Sequence, residues 1–182
     1  MSKYKLDREN TALIVIDLQE RLMGAMKDRE KVYKNTGILL DTVKQFNIPV
    51  IVSEQYPGGL GHTVNEIKEK LGDYHYIEKM DFSLCNVQGR QILKSVNKNT
   101  FIVTGSETHV CVFQTVRDLL QAGYNVHLVK DAVCSRSDDN YRNALGLMRD
   151  MGAVVSNTET VVFDLLQAAG TPQFKVISPL IK

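Results

Sequence analysis

The sequence has few cysteines, no marked excess of either charge and no long apolar run. Cys85, Cys111 and Cys134 are an odd number without C-x-x-C spacing, which speaks against a disulfide framework or a thiolate zinc site and for a reducing compartment. The 22 Lys and Arg nearly balance the 21 Asp and Glu, leaving a formal net charge of +1. No basic run stands out, so the electrostatic grounds for nucleic acid or an anionic membrane as partner are missing. No stretch reaches the ~18 apolar residues of a transmembrane helix. The N-terminal MSKYKLDRENTALIVIDLQ has charge but no separate apolar segment ahead of small residues, so it does not read as a signal peptide. Cytoplasm is the expected location. Internal repeats, low-complexity tracts and linkers are also absent, and 182 residues suit one domain with a sizeable core over 1–182.

What is present is an alternation of strands and helices. Ala12–Asp17, ALIVID, is a continuous apolar run closed by an acid, the form of a central parallel strand buried on both faces. Helical spacing extends over Val32–Phe46 until Asn47-Ile48-Pro49 breaks it, and Val50–Ser53 is a second short strand. Glu54–Gly61 holds three glycines and a proline in eight residues, an ordered turn system able to line a pocket. Val64–Leu71 and Asn86–Val96 read as helices on either side of the segment Tyr74–Ser83. Asn125–Val129 reads as a strand, Lys130–Ser135 as a loop, Asp138–Met151 as an amphipathic helix, Ala153–Val155 as a strand and Val161–Ala168 as a helix. Thr171–Lys182 is expected to be a surface tail or an arm in an oligomer. The pattern predicts an α/β fold, a single doubly wound, Rossmann-like domain with a parallel sheet covered by helices on both faces.

The chemically richest stretch is Phe101–Gly123, FIVTGSETHVCVFQTVRDLLQAG. Phe101–Gly105 is apolar and largely β-branched, a buried strand, and Val112, Val116, Leu119 and Leu120 then recur at helical spacing. Thr108 is the expected N-cap, which puts Cys111 in the first helical turn. Unpaired N–H groups and the positive end of the helix dipole there would lower a thiol pKa and hold an oxyanion. A cysteine in an apolar helix is equally the form of a small buried hydrophobe, and this stretch alone leaves both readings open. Asp17 ends the first strand, where open α/β sheets place their ligand crevice, and Lys79 precedes a loop. A carboxylate can take a thiol proton, and a lysine beside both would favour their charged forms.

Taken together, ALIVIDLQE, EKMDFS, IVTGSETHVCV and VKDAVCSRS resemble, in order and over most of the chain, the isochorismatase-like cysteine hydrolase family of nicotinamidases, carbamoylsarcosine amidases and true isochorismatases. EQYPGGLG is most similar to the isochorismatase-domain-containing proteins of unassigned substrate. The resemblance implies a six-stranded, mostly parallel sheet and a catalytic triad of Asp17, Lys79 and Cys111. It also implies a cis peptide between Ser106 and Glu107, with the Glu107 and Cys111 N–H groups as oxyanion hole. The activity implied is hydrolysis of a small carbonyl compound, an amide or other C–N bond, through a thioester. Vinyl-ether hydrolysis without Cys111 and a non-catalytic binding role are the alternatives.

Gln19, Tyr56, Phe82 and Glu107 are the expected pocket wall; Gln55 and Tyr56 sit in the glycine loop, open to substrate or solvent. Glu107 stands where the nicotinamidase branch commonly has a small apolar residue, and it would select a cationic or hydrogen-bonding substrate or face solvent or another subunit. Ser53-Glu54-Gln55-Tyr56 lacks the aspartate and histidines that bind metal in nicotinamidases, and His62 alone is a poor ligand, so neither metal nor cofactor is expected. The expected partners are a small-molecule substrate and further copies of the chain, as a dimer or tetramer.

Overall fold

The alternate residues of one strand dictate the layering. In the computed structural model, which describes residues 3–181, β1 (Thr11–Ile16) is buried along its whole length. Ala12, Ile14 and Ile16 belong to one apolar core, Leu13 and Val15 to another. A strand with two apolar faces needs cover on both sides. Around it, β2 (Val50–Gln55), β3 (His75–Lys79), β4 (Thr100–Ser106), β5 (Asn125–Cys134) and β6 (Val154–Ser156) form a sheet of order β3-β2-β1-β4-β5-β6. All five strand pairs are parallel, so the sheet has no antiparallel member.

Parallel neighbours require crossovers, and the helices lie in them: α1 (Glu20–Gly24), α2 (Arg29–Gln45), α3 (Pro57–Leu60), α4 (Asn65–Lys68), α5 (Val87–Val96), α6 (Phe113–Gln121), α7 (Asp138–Asp150), α8 (Thr158–Leu166) and α9 (Pro172–Ile177). Val32, Leu39 and Val43 of α2 share the first core with Val161, Val162 and Leu165 of α8. Leu93 of α5, Val116 and Leu119 of α6, and Met148 of α7 fill the second. Each such side chain removed from water stabilises the fold by about 1.5–3 kcal/mol. After β3 the chain returns to the far side of β1, so the strand order reverses between β1 and β4. In sheets of this kind the ligand crevice lies outside the carboxyl ends of the strands at that point.

Two local expectations change. Lys130–Ser135 is mostly strand rather than loop, because β5 runs on to Cys134 and a register shift opposite Val103 and Gly105 of β4 absorbs the irregularity. Charged Lys130 and Asp131 hid that continuation from an apolar-run reading. The C-terminal stretch is not a loose tail: Thr171 caps α9 by accepting from the Phe174 N–H, and Ile177 is wholly buried in the first core. Six residues are too few to show a helical period, which is why the helix was not legible. Lys182, the end of that predicted stretch, lies outside the described residues, as do Met1 and Ser2.

Gly105 marks where β1 and β4 approach most closely. Its φ is +130°, and a Cβ there would lie 2.1 Å from the Ile16 carbonyl oxygen. Gly105→Ala is therefore expected to destabilise the fold by about 3 kcal/mol or more, through backbone strain and overlap with a neighbouring strand. Urea unfolding monitored by circular dichroism checks this; an unchanged midpoint would contradict the close approach of the two strands.

Candidate active site

Asp17 immediately succeeds β1 and takes a left-handed backbone conformation, φ +49°. Its carboxylate is wholly buried and is held from two sides. Ser53 Oγ donates to Oδ1 at 2.7 Å, and Lys79 Nζ donates to Oδ2 at 2.6 Å. Ser53 reaches it because it lies in β2, beside β1 in the sheet, and Lys79 because it ends β3. The lysine's remaining protons face the carbonyls of Phe82, at 3.1 Å, and Asp81, at 3.3 Å. An ammonium has three donors, so this buried cation is fully satisfied. An unpaired charge at such depth would cost several kcal/mol.

Cys111 stands a few residues beyond the carboxyl end of β4. The Ser106–Glu107 peptide is cis, and Thr108–Val112 then forms one π-helical turn, with the Val112 N–H bonded to the Glu107 carbonyl at 3.2 Å. Single π turns are often found at functional sites. Thr108 does not cap this turn: Glu107 holds the cap position, and the buried Thr108 hydroxyl has no hydrogen-bond partner among the described residues. The turn carries the Cys111 thiol into hydrogen-bonding reach of Asp17 and, at 3.4 Å, of Gln55 Oε1. Asp17, Lys79 and Cys111, distant in sequence, thus meet at the reversal of strand order.

The thiol is not the depressed one expected from a helix terminus. Burial pushes its pKa up first, and the Asp17 carboxylate adds to that; Lys79 offsets only part, and Glu107 pushes upward again. A resting neutral thiol beside a carboxylate is the arrangement a general base requires. Cys85 and Cys134 are also raised, to about 11 and about 12, by burial first.

The expected pocket wall divides. Gln19 is fully buried, and its amide clamps the glycine loop: Nε2 donates to the carbonyls of Gln55 at 3.0 Å and Gly61 at 2.6 Å, while Oε1 accepts the Gln55 N–H at 2.7 Å. It positions Gln55 and has no polar atom left over for substrate. Tyr56 and Phe82 are about half exposed and flank Lys79, Tyr56 by donating its N–H to the Lys79 carbonyl at 2.9 Å. Glu107 is buried, and its Oε2 accepts the Arg136 N–H at 3.0 Å. It faces neither open solvent nor an unfilled cation site.

Ser53, His109 and Arg136 were missed by sequence reasoning. A small hydroxyl residue in a strand, or a cation in a loop, carries no sign of its neighbour. His62 Nδ1 pairs with Glu54 Oε2 at 2.9 Å. Burial works against the Glu54 charge, yet hydrogen bonds from Thr63, His62 and Tyr76 hold that carboxyl below its ordinary value. Among the described residues no group of three or more His, Cys, Asp or Glu is placed to hold a metal ion.

Removing the Asp17 charge should separate reactivity from turnover. Asp17→Asn takes away an anion that disfavours the thiolate and leaves Lys79 unopposed, so the Cys111 pKa should fall by at least about one unit. Alkylation by iodoacetamide as a function of pH, monitored at Cys111 by mass spectrometry, reads this directly; a pKa unchanged or raised would contradict the geometry.

Comparisons with known proteins converge on one family. Residues 11–160 match the Isochorismatase domain. The secreted isochorismatase effector Isc1 of Phytophthora sojae is 38% identical over 183 residues, covering 98% of this chain and 87% of that protein. The structure of MAR1 ribonuclease from Caenorhabditis elegans superposes with a TM-score of 0.92 at 38% identity, covering 97% of this chain and 92% of that one. Escherichia coli YcaC, described as an octameric hydrolase of unknown specificity, matches with a TM-score of 0.84 at 26% identity, over 90% of this chain and 83% of its own.

Proposed function

This chain belongs to the isochorismatase family, and on that footing we propose that it is a cysteine hydrolase cleaving a small carbonyl compound at an amide or other C–N bond. The observation that carries the reading is the buried Asp17–Lys79 pair, 2.6 Å apart and within reach of the Cys111 thiol. Asp17 takes the thiol proton as Sγ attacks the carbonyl carbon. The N–H groups of Glu107 and Cys111 receive the developing oxyanion, each donor lowering the barrier by about 3 kcal/mol. The C–N bond breaks as Asp17 returns the proton to the departing amine. Water then attacks the thioester with Asp17 as base, the C–S bond breaks, and acid and thiol are released.

Lys79 positions Asp17 and offsets its charge, while Ser53 holds the other carboxylate oxygen. The resting thiol need not be ionised, because its proton moves in the same event as the attack. Gln55 accepts a hydrogen bond from the thiol and orients it between turns. Tyr56 and Phe82 supply apolar walls. Association into oligomers is part of the proposal, favoured by the octameric state described for YcaC; cytoplasmic location is part of it too, although one relative is described as secreted.

Two variants separate the reactions open to this site. Cys111→Ala should lower kcat/KM on a hydrolysed amide, or on p-nitrophenyl acetate as surrogate, by at least about 1000-fold. Wild type should accumulate a thioester detectable as a mass increase on Cys111. Hydrolysis that survives Cys111→Ala but not Asp17→Asn would replace the acyl-enzyme reading with vinyl-ether hydrolysis. The same outcome on RNA would favour the activity described for the C. elegans relative. Absence of hydrolysis in wild type itself would leave a binding role.

A further inference from the structure

The nucleophile and its turn are tied to two ion pairs of opposite accessibility. Asp17 and Lys79 are both 0% exposed at the side chain, whereas in the second pair Glu107 is 8% exposed and Arg136 is 67% exposed. Of these four charges, three are internal and matched. Only the Arg136 guanidinium is open to solvent, so the charge this constellation presents to an arriving molecule is positive.

Arg136 is also held in place. The Glu107 carboxylate accepts its backbone N–H at 3.0 Å and faces its Nε at 3.6 Å. One carboxylate thereby contacts both the main chain and the Nε of a guanidinium whose side chain is otherwise largely exposed. The residue before it is fastened as well, since Ser135 Oγ lies 3.0 Å from Nδ1 of His109 on the nucleophile turn. His109 Nε2 in turn faces the Asn140 amide at 3.4 Å. Arg136 therefore stands two residues beyond β5, on the C-terminal rim of the sheet, on a base locked to the turn that carries Cys111. A guanidinium oriented through one edge is suited to receive a carboxylate or phosphate through the other. Asp138 and Asp139 open α7 nearby, are exposed, and work against a bound anion; both stand on α7 rather than on the base that Glu107 and His109 fasten.

We infer that Arg136, oriented by Glu107, is a specificity residue selecting substrates that carry an anionic group beside the scissile carbonyl. This rests on Cys111 being the nucleophile, and it departs from one of the sequence-based alternatives, that Glu107 itself selects a cationic substrate. The test compares alkylation of Cys111 by anionic iodoacetate and neutral iodoacetamide, read by mass spectrometry in the full chain. The iodoacetate-to-iodoacetamide rate ratio should fall on the order of fivefold in Arg136→Ala, the upper range for one partly exposed ion pair. It should be largely retained in Arg136→Lys and should shrink in wild type as salt is raised.

A ratio equal in wild type and Arg136→Ala overturns the inference. An unfolded variant is recognised separately, because Cys85 and Cys134 would then be alkylated too, and Arg136→Lys against Arg136→Glu then supplies the comparison. Failure of the hydrolase reading looks different again: wild type would neither hydrolyse p-nitrophenyl acetate nor accumulate a thioester on Cys111, whatever the alkylation ratio. With a hydrolysed amide in hand, Arg136→Ala should raise KM for an anionic substrate and leave its neutral ester unaffected.

Discussion

The buried contact between Lys79 and Asp17 is the constraint the other features answer to. Two ions enclosed at the end of a sheet are tolerable only when each remaining lone pair and proton has a partner. That requirement accounts for Ser53 beneath one carboxylate oxygen and for the chain bending at Asp81–Phe82 so that two carbonyls meet the ammonium. It also accounts for Asp17 leaving β1 in a left-handed conformation. Satisfied in this way, the pair is held from both sides, and in the proposed reaction the carboxylate takes the proton of a neutral thiol without prior ionisation of sulfur.

The sheet topology makes the contact possible. Asp17, Ser53 and Lys79 lie at the carboxyl ends of β1, β2 and β3, which are adjacent and parallel, so their ends coincide. Cys111 arrives from the other side of the reversal, beyond β4. Gly105 lets β4 approach β1 closely enough for the π turn to face Asp17. The glycine loop after β2 is then bound back by Gln19, which places the Gln55 side chain against the thiol. Gly59 serves the same loop, for a Cβ there would meet the Tyr56 ring at 2.2 Å.

A second layer surrounds this centre. Glu107 and His109, both at the turn that carries Cys111, reach across to Ser135 and Arg136 beyond β5. Glu54, with His62, Thr63 and Tyr76, anchors the opposite side of the crevice. These networks face outward from the reacting atoms. They fasten the loops around Cys111, and Arg136 gives one of them a charged face toward solvent.

Periodicity and composition by themselves determined the strand–helix alternation, the two-sided burial of β1 and therefore the doubly wound class, because burial patterns are local and repeat along the chain. Family motifs pointed to Asp17, Lys79 and Cys111, since strand ends and helix starts are legible from one stretch at a time. Tertiary structure alone decided the contacts of Gln19, Ser53, Glu107 and Arg136. Each depends on which group another segment brings within about 3 Å, and a sequence position carries no record of its spatial neighbour. The state of the thiol was hidden for the same reason. A helix start predicts a lowered pKa, but enclosure and a carboxylate delivered by a different strand outweigh a terminus and raise it.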